Sequence, residues 1–238
     1  MSLYNFVCAA TRRCFLQTIG YSALGLAAFG SGQAFAAPAS TQQKTAAEAL
    51  DLLMQGNQRY AKDVAVNCNK NFDRRAEVAG GQHPFALILG CADSRVPPEV
   101  IFDQRLGDLF TVRIAGNIAD ANAIGSLEYA VLHFGSPLLV VLGHEKCGAV
   151  SATLEAVETH ASAPGHIGSI VAAIKPAAES VMGKPGDTLE NAIRANVKNV
   201  VAQLHASSSI LAEHVASGKL QITGARYGLT DGLVTLVH

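Results

Sequence analysis

The chain has no tryptophan, and its other aromatics are nine phenylalanines and five tyrosines among 238 residues. That is too few rings for a platform on which successive bases of a single strand stack. Charge is equally scarce, at 16% of residues with a formal balance of −1. No basic stripe is available to neutralise phosphates, so nucleic acid is excluded as a partner. Cysteine is sparse and unevenly placed. Of five, Cys8 and Cys14 fall in the first few residues, leaving Cys68, Cys91 and Cys147. An odd set of three cannot complete a disulfide framework, even in an oxidising compartment. What the chain does have is apolar bulk: 49% hydrophobic residues, enough to core one domain or at most two.

The first 36 residues are expected to be an export signal rather than part of the fold. Thr11-Arg12-Arg13-Cys14-Phe15-Leu16 sets paired arginines before an uncharged, Gly-rich apolar stretch over residues 19–30, and Ala34-Phe35-Ala36 offers small residues for cleavage. This is the pattern of a twin-arginine signal, read by the Tat export machinery. A retained membrane anchor is the alternative, but the apolar stretch is shorter than the roughly 20 residues a span requires. Cleavage near Ala36 would remove two arginines and no acidic residue, and would place the mature protein in the periplasm or otherwise outside the cytoplasm. Residues 37–44 read as a linker and residues 45–238 as one domain.

Within that domain, Ala47, Leu50, Leu53, Met54 and Tyr60 recur at helical spacing and predict an amphipathic N-terminal helical arm. A polar loop containing Cys68 and Asp73-Arg74-Arg75 follows. Residues 84–90 and 137–143 are unbroken apolar runs that read as buried strands, with another strand at residues 109–114 and a helix at residues 123–134 between them. Helices are expected from Cys147, over residues 167–182 and over residues 188–216, and residues 221–227 with 233–237 read as a terminal hairpin. Strands without polar alternation, interleaved with helices, predict an α/β fold with a mainly parallel sheet covered on both faces. Functional residues then belong beyond the carboxyl ends of the strands.

Two strings sit there. Cys91-Ala92-Asp93-Ser94-Arg95 follows the first apolar run and His144-Glu145-Lys146-Cys147 the second. Two thiolates and an imidazole suit zinc and leave a fourth tetrahedral position for water or for Asp93. The His-x-x-Cys spacing lets both side chains reach one ion as the chain turns into a helix, whose N-terminus at Cys147 favours a thiolate.

These residues resemble the beta class of carbonic anhydrases. The resemblance runs from Cys91-x-Asp93-Ser94-Arg95 and Val96-Pro97-Pro98-Glu99, through Gly107-Asp108-Leu109-Phe110, Arg113, Ala115-Gly116-Asn117 and Leu127-Glu128-Tyr129-Ala130, to Gly143-His144-x-x-Cys147-Gly148. It covers about residues 47–227; one departure is Ile114, where the family often has Asn. It implies reversible hydration of carbon dioxide to bicarbonate by a hydroxide generated on zinc, one ion per subunit, in a homodimer or larger homo-oligomer. It implies Cys91, His144 and Cys147 as ligands. Asp93 would occupy the fourth position in a closed state or accept a hydrogen bond from the hydroxide in an open one, with Arg95 pairing with it and drawing it off the metal. Gln82, Phe110 and Tyr129 match residues that contact bicarbonate or line the pocket, the last two across a subunit interface. Members with a bicarbonate-locked site commonly have Trp three residues before the first cysteine ligand; Ile88 stands there, so a plant-like, readily open site is expected. His83, His133, His160 and His166 are candidates by type for proton relay, and none is assigned. Two rival readings stay open: a carbon disulfide or carbonyl sulfide hydrolase on the same scaffold, and a non-catalytic structural zinc protein.

Overall fold

The computed structural model describes residues 44–67 and 72–238. The expected signal, most of the linker and Cys68 lie outside the described residues.

The two apolar runs become the central strands because they have no polar face to give to water. β1 (Ala86–Gly90) and β3 (Leu138–His144) are buried at every position. With β2 (Leu109–Arg113), β4 (Gln221–Tyr227) and β5 (Val234–Val237) they form one sheet in the order β2-β1-β3-β4-β5. The first four are parallel and β5 returns antiparallel to β4, so the expected terminal hairpin closes one edge. Alternate side chains feed opposite layers. Ile88, Val140 and Leu142 pack with Leu53, Ile174 and Ile193 on one face, while Leu87, Leu89 and Val141 pack with Leu127, Val200 and Leu204 on the other.

Helices cover both faces. α1 (Ala46–Ala61) starts from a reciprocal cap in which Thr45 and Glu48 each bond the other's backbone N–H. It is docked by Asn57, whose amide donates to the carbonyls of Ile101 and Gly232 and accepts from the Val234 N–H, and by the 2.6 Å Arg59–Asp103 ion pair. At Gly56 the helix approaches so closely that a Cβ would lie 1.8 Å from the Phe102 carbonyl oxygen. α3 (Pro98–Ile101), with a proline in its first turn, follows β1; α4 (Ala121–Phe134) is capped by Asp120 and ended by left-handed Gly135. α5 (Gly148–Thr159) starts directly after Cys147, and α6 (Ile167–Val181) packs against it. Among the described residues no helix is long and apolar enough to cross a membrane.

Two local expectations are corrected. The loop around Asp73-Arg74-Arg75 contains a helix, α2 (Phe72–Val78), held by ties rather than by an apolar stripe: Arg74 donates to the Leu106 carbonyl and pairs with Glu77 and Asp108. The single helix expected over residues 188–216 is two, α7 (Thr188–Ser207) and α8 (Ser209–Ala216). Ser208 takes extended backbone angles between them, accepts the Leu211 N–H to cap α8, and donates its hydroxyl to Glu128 on α4 at 2.6 Å. Serine side chains compete for backbone groups in this way, which is why a serine run breaks an otherwise helical pattern.

Candidate active site

β1 and β3 are neighbours, with Gly90 opposite Leu142, so the residues that follow them emerge side by side at the carboxyl edge of the sheet. Cys91 leaves β1 there. His144 is the last residue of β3, and Lys146, at φ +53°, turns the chain so that Cys147 comes back beside it at the start of α5. The ligand atoms of Cys91, His144 and Cys147 all lie within 4.8 Å of one another, and all three residues are buried.

The histidine is set up as a ligand. Its Nδ1 lies 2.9 Å from the Glu145 carbonyl oxygen, which can only accept, so Nδ1 carries the proton and Nε2 keeps its lone pair. That Nε2 is buried with no hydrogen-bond partner. Glu145 is itself pinned on three sides. Its N–H donates to the Tyr227 carbonyl, and its carboxylate accepts the N–H groups of Leu229 and Thr230 at the turn before β5.

The two thiols are unlike each other. The Cys91 thiol is pushed down to about 4, first by the hydrogen bond from Cys147 and further by the N–H groups of Asp93 and Gly116, against the opposing effect of burial. Cys147 is pushed above the usual thiol range, first by its bond to Cys91 and then by burial. Two buried sulfurs in this arrangement surrender one proton readily and the second with difficulty, a charge problem that a dication resolves. A neutral imidazole lone pair and two sulfurs converging in one buried cluster fit zinc by donor type and by placement.

Asp93 stands beside this group. Arg95 holds it through Nε to Oδ1 at 2.9 Å, Nη2 to Oδ2 at 2.8 Å and its backbone N–H to Oδ1 at 2.9 Å. These bonds hold the carboxyl well below the usual carboxylate range. Oδ2 is 4.0 Å from His144 Nε2. The backbone of this loop is held from β2, where Arg113 Nε donates to the Cys91 carbonyl at 2.9 Å and Nη2 to the Asp93 carbonyl at 2.5 Å.

Gln82, Phe110 and Tyr129 are not brought to this group within one chain. Gln82 precedes β1 and lines a surface cleft of about 790 Å³ with Glu99, Val100, Leu106 and Leu109. Phe110 is the second residue of β2 and packs on Phe134; Tyr129 stacks with His133 and meets Phe134 edge-on, and is half exposed. His133 is thus in an aromatic surface cluster, and His160 ends α5 in a left-handed turn.

Pattern reading missed the groups that hold the ligands. The Gly116 N–H donates to Cys91 Sγ at 3.3 Å, and buried Asn196 on α7 donates to the Gly116 carbonyl at 2.8 Å. Asn196 had a visible signal: it is an amide on the stripe of Ile193, Val197, Val200 and Leu204, where only apolar residues are expected.

The sequence profile of the carbonic anhydrase family matches residues 86–234. The chain is similar to carbonic anhydrase 2 of Mycobacterium tuberculosis, at 41% identity over 186 residues, covering 77% of this chain and 89% of that protein. Among solved structures it is similar to the Coccomyxa beta-carbonic anhydrase in complex with acetazolamide, with a TM-score of 0.62 at 30% identity, covering 79% and 86% of the two chains. It is similar also to tetrameric beta-carbonic anhydrases of Sordaria macrospora, with a TM-score of 0.62 at 26% identity over 79% of this chain and 96% of that one.

Proposed function

Because the chain belongs to the beta-class carbonic anhydrases, and so catalyses the reversible hydration of carbon dioxide to bicarbonate, we propose that it does so with one zinc ion held by Cys91, His144 and Cys147. The observation that carries the zinc is the buried, unpartnered His144 Nε2 facing two sulfurs. Zinc bound there supplies Lewis acidity, making a water nucleophilic near neutral pH.

The residues around it divide the remaining work. Arg95 takes both carboxylate oxygens of Asp93 and keeps that side chain off the ligand group. Held so, Asp93 is ionised at neutral pH, with Oδ2 beside the site to accept a hydrogen bond and orient the attacking water. Ile88, where a bicarbonate-locked member would have Trp, supports the plant-like open arrangement. Cys91 and Cys147 are themselves buried, in one apolar cluster with Val96, Ile118 and Val150. Arg113 ties the backbone at both Cys91 and Asp93.

Gln82, Phe110 and Tyr129 serve the site from a second copy in a homo-oligomer. Their separation from Cys91 within one chain, and the exposed Val100, Leu106, Tyr129 and Leu132, support an interface on that side. The paired arginines at positions 12 and 13 support Tat export of the folded, metal-loaded enzyme to the periplasm, with cleavage near Ala36. Replacing both arginines by lysine and fractionating cells tests this: the protein is expected to stay cytoplasmic and keep its full length, and undiminished export would end the Tat assignment.

Stopped-flow hydration of carbon dioxide by the mature protein, with zinc measured on the same sample, tests the main reading. Activity that follows zinc content and disappears in Cys147→Ser supports it. No hydration between about pH 7 and 9 despite one zinc per chain overturns it.

A further inference from the structure

We propose that Asn196 is a positioning residue for the Cys91 thiolate, acting from α7 through the Gly116 peptide; the inference rests on the assignment of Cys91 as a zinc ligand. Asn196 is 1% exposed and lies among Ile193, Val197 and Val200 on the face that α7 turns to the core. An amide there loses its hydration, and the loss must be offset by a good partner. Its partner is the Gly116 carbonyl at 2.8 Å, a buried bond between residues 80 positions apart. The same glycine donates its N–H to Cys91 Sγ at 3.3 Å.

The two bonds are mechanically linked because Gly116 has little freedom. It sits at φ +70°, ψ 18° between two residues in the turn Ala115–Asn117, and a Cβ on it would lie 2.5 Å from Ile174 Cδ1. A side chain there would add left-handed strain and have to push Ile174 aside. The next residue is also left-handed, Asn117 at φ +46°, with its N–H on the Ile114 carbonyl at 2.8 Å. With the turn closed at that end, gripping the Gly116 carbonyl fixes the orientation of the peptide on its other side, whose N–H points at sulfur. Without Asn196 the carbonyl is buried and unpaired, and the turn gains by rotating to pair it, which swings the N–H off Cys91. An N–H bond to a thiolate draws electron density from sulfur, so Asn196 tunes how strongly Cys91 donates to the metal.

Cobalt substituted for zinc reports sulfur donation through its sulfur-to-cobalt charge-transfer absorption. In Asn196→Leu and Asn196→Ala this band is expected to move to longer wavelength, and zinc affinity, measured against a competing chelator, to fall about tenfold. Val200→Ala, one turn further along α7, is the control for general loosening and is expected to leave the band in place. Either Asn196 variant suffices if the other does not fold. An unmoved band and unchanged affinity in a folded Asn196 variant overturn the inference, as does an equal shift in Val200→Ala. A wild-type protein with no such band overturns the ligand assignment itself, and the inference with it.

Discussion

Arg95 reaches Asp93 across only two positions of sequence, so the pair can form in any conformation that keeps this loop, and Arg113 keeps it by holding the backbone at both Cys91 and Asp93. The consequence for pH has a definite sign. The Asp93 carboxyl is lowered in the fold, so the unfolded chain protonates first. The stabilisation from the pair is complete above the ordinary carboxylate value of about 4 and fades as pH falls below it toward the native value. Arg95→Gln removes the charge and one arm of the grip. At neutral pH its hydration rate is expected to fall about 100-fold with zinc content unchanged, and its urea midpoint to differ from wild type by a constant amount between about pH 5 and 8, converging below about pH 4. A full hydration rate in this variant would remove Asp93 orientation from the mechanism. Cys91, Asp93, Arg95, His144 and Cys147 were legible in sequence because their chemistry resides in their side chains and the strands deliver them to one edge. Gly116, Glu145 and Asn196 were not, because a backbone N–H, a backbone carbonyl and a buried amide contribute through partners that only the fold supplies.

At the scale of elements, the strands and the helices α1 and α4 followed from hydrophobic period alone, since each has one demand, to bury a face or both faces. The two elements that did not follow are held by side chains from elsewhere. α2 has no stripe of its own and depends on Arg74 reaching Leu106 and Asp108, more than 30 positions away. The boundary between α7 and α8 depends on Ser208, whose two hydrogen bonds, to Leu211 and to Glu128, outweigh helix continuation. Ser208→Ala removes both and leaves the start of α8 uncapped. The expected cost is about 1 kcal/mol of stability, read from urea unfolding, with zinc content untouched because Ser208 and Glu128 are not among the ligands. An unchanged unfolding midpoint would mean that the helix break is set by packing of α8 and not by its cap.

At the scale of the whole molecule, the two ends of the parallel sheet carry different parts of the proposed site. Cys91 follows β1 and Gln82 precedes it, and the strand between them spans roughly 17 Å at 3.3 Å per residue, too far for one chain to bring both to one substrate. A two-fold pair of chains removes the conflict, since the carboxyl edge of one sheet can meet the surface that holds Gln82, Phe110 and Tyr129 on the other. Mixing inactive variants separates this from action within one chain. Cys91→Ser lacks a ligand but keeps Gln82; Gln82→Ala keeps the ligands but lacks the amide. If Gln82 serves the opposite site, a mixed dimer has one site with every part intact, the ligands coming from the Gln82→Ala chain and the amide from the Cys91→Ser chain. Random mixing makes half the dimers mixed, each with one working site, so activity is expected to return to about a quarter of wild type. If Gln82 acts on its own chain's site, no combination contains a complete site and mixing restores nothing. The same experiment with Tyr129→Ala in place of Gln82→Ala asks whether the aromatic patch on α4 belongs to the same shared pocket, and return of activity for both variants would place the interface across the cleft and that patch together.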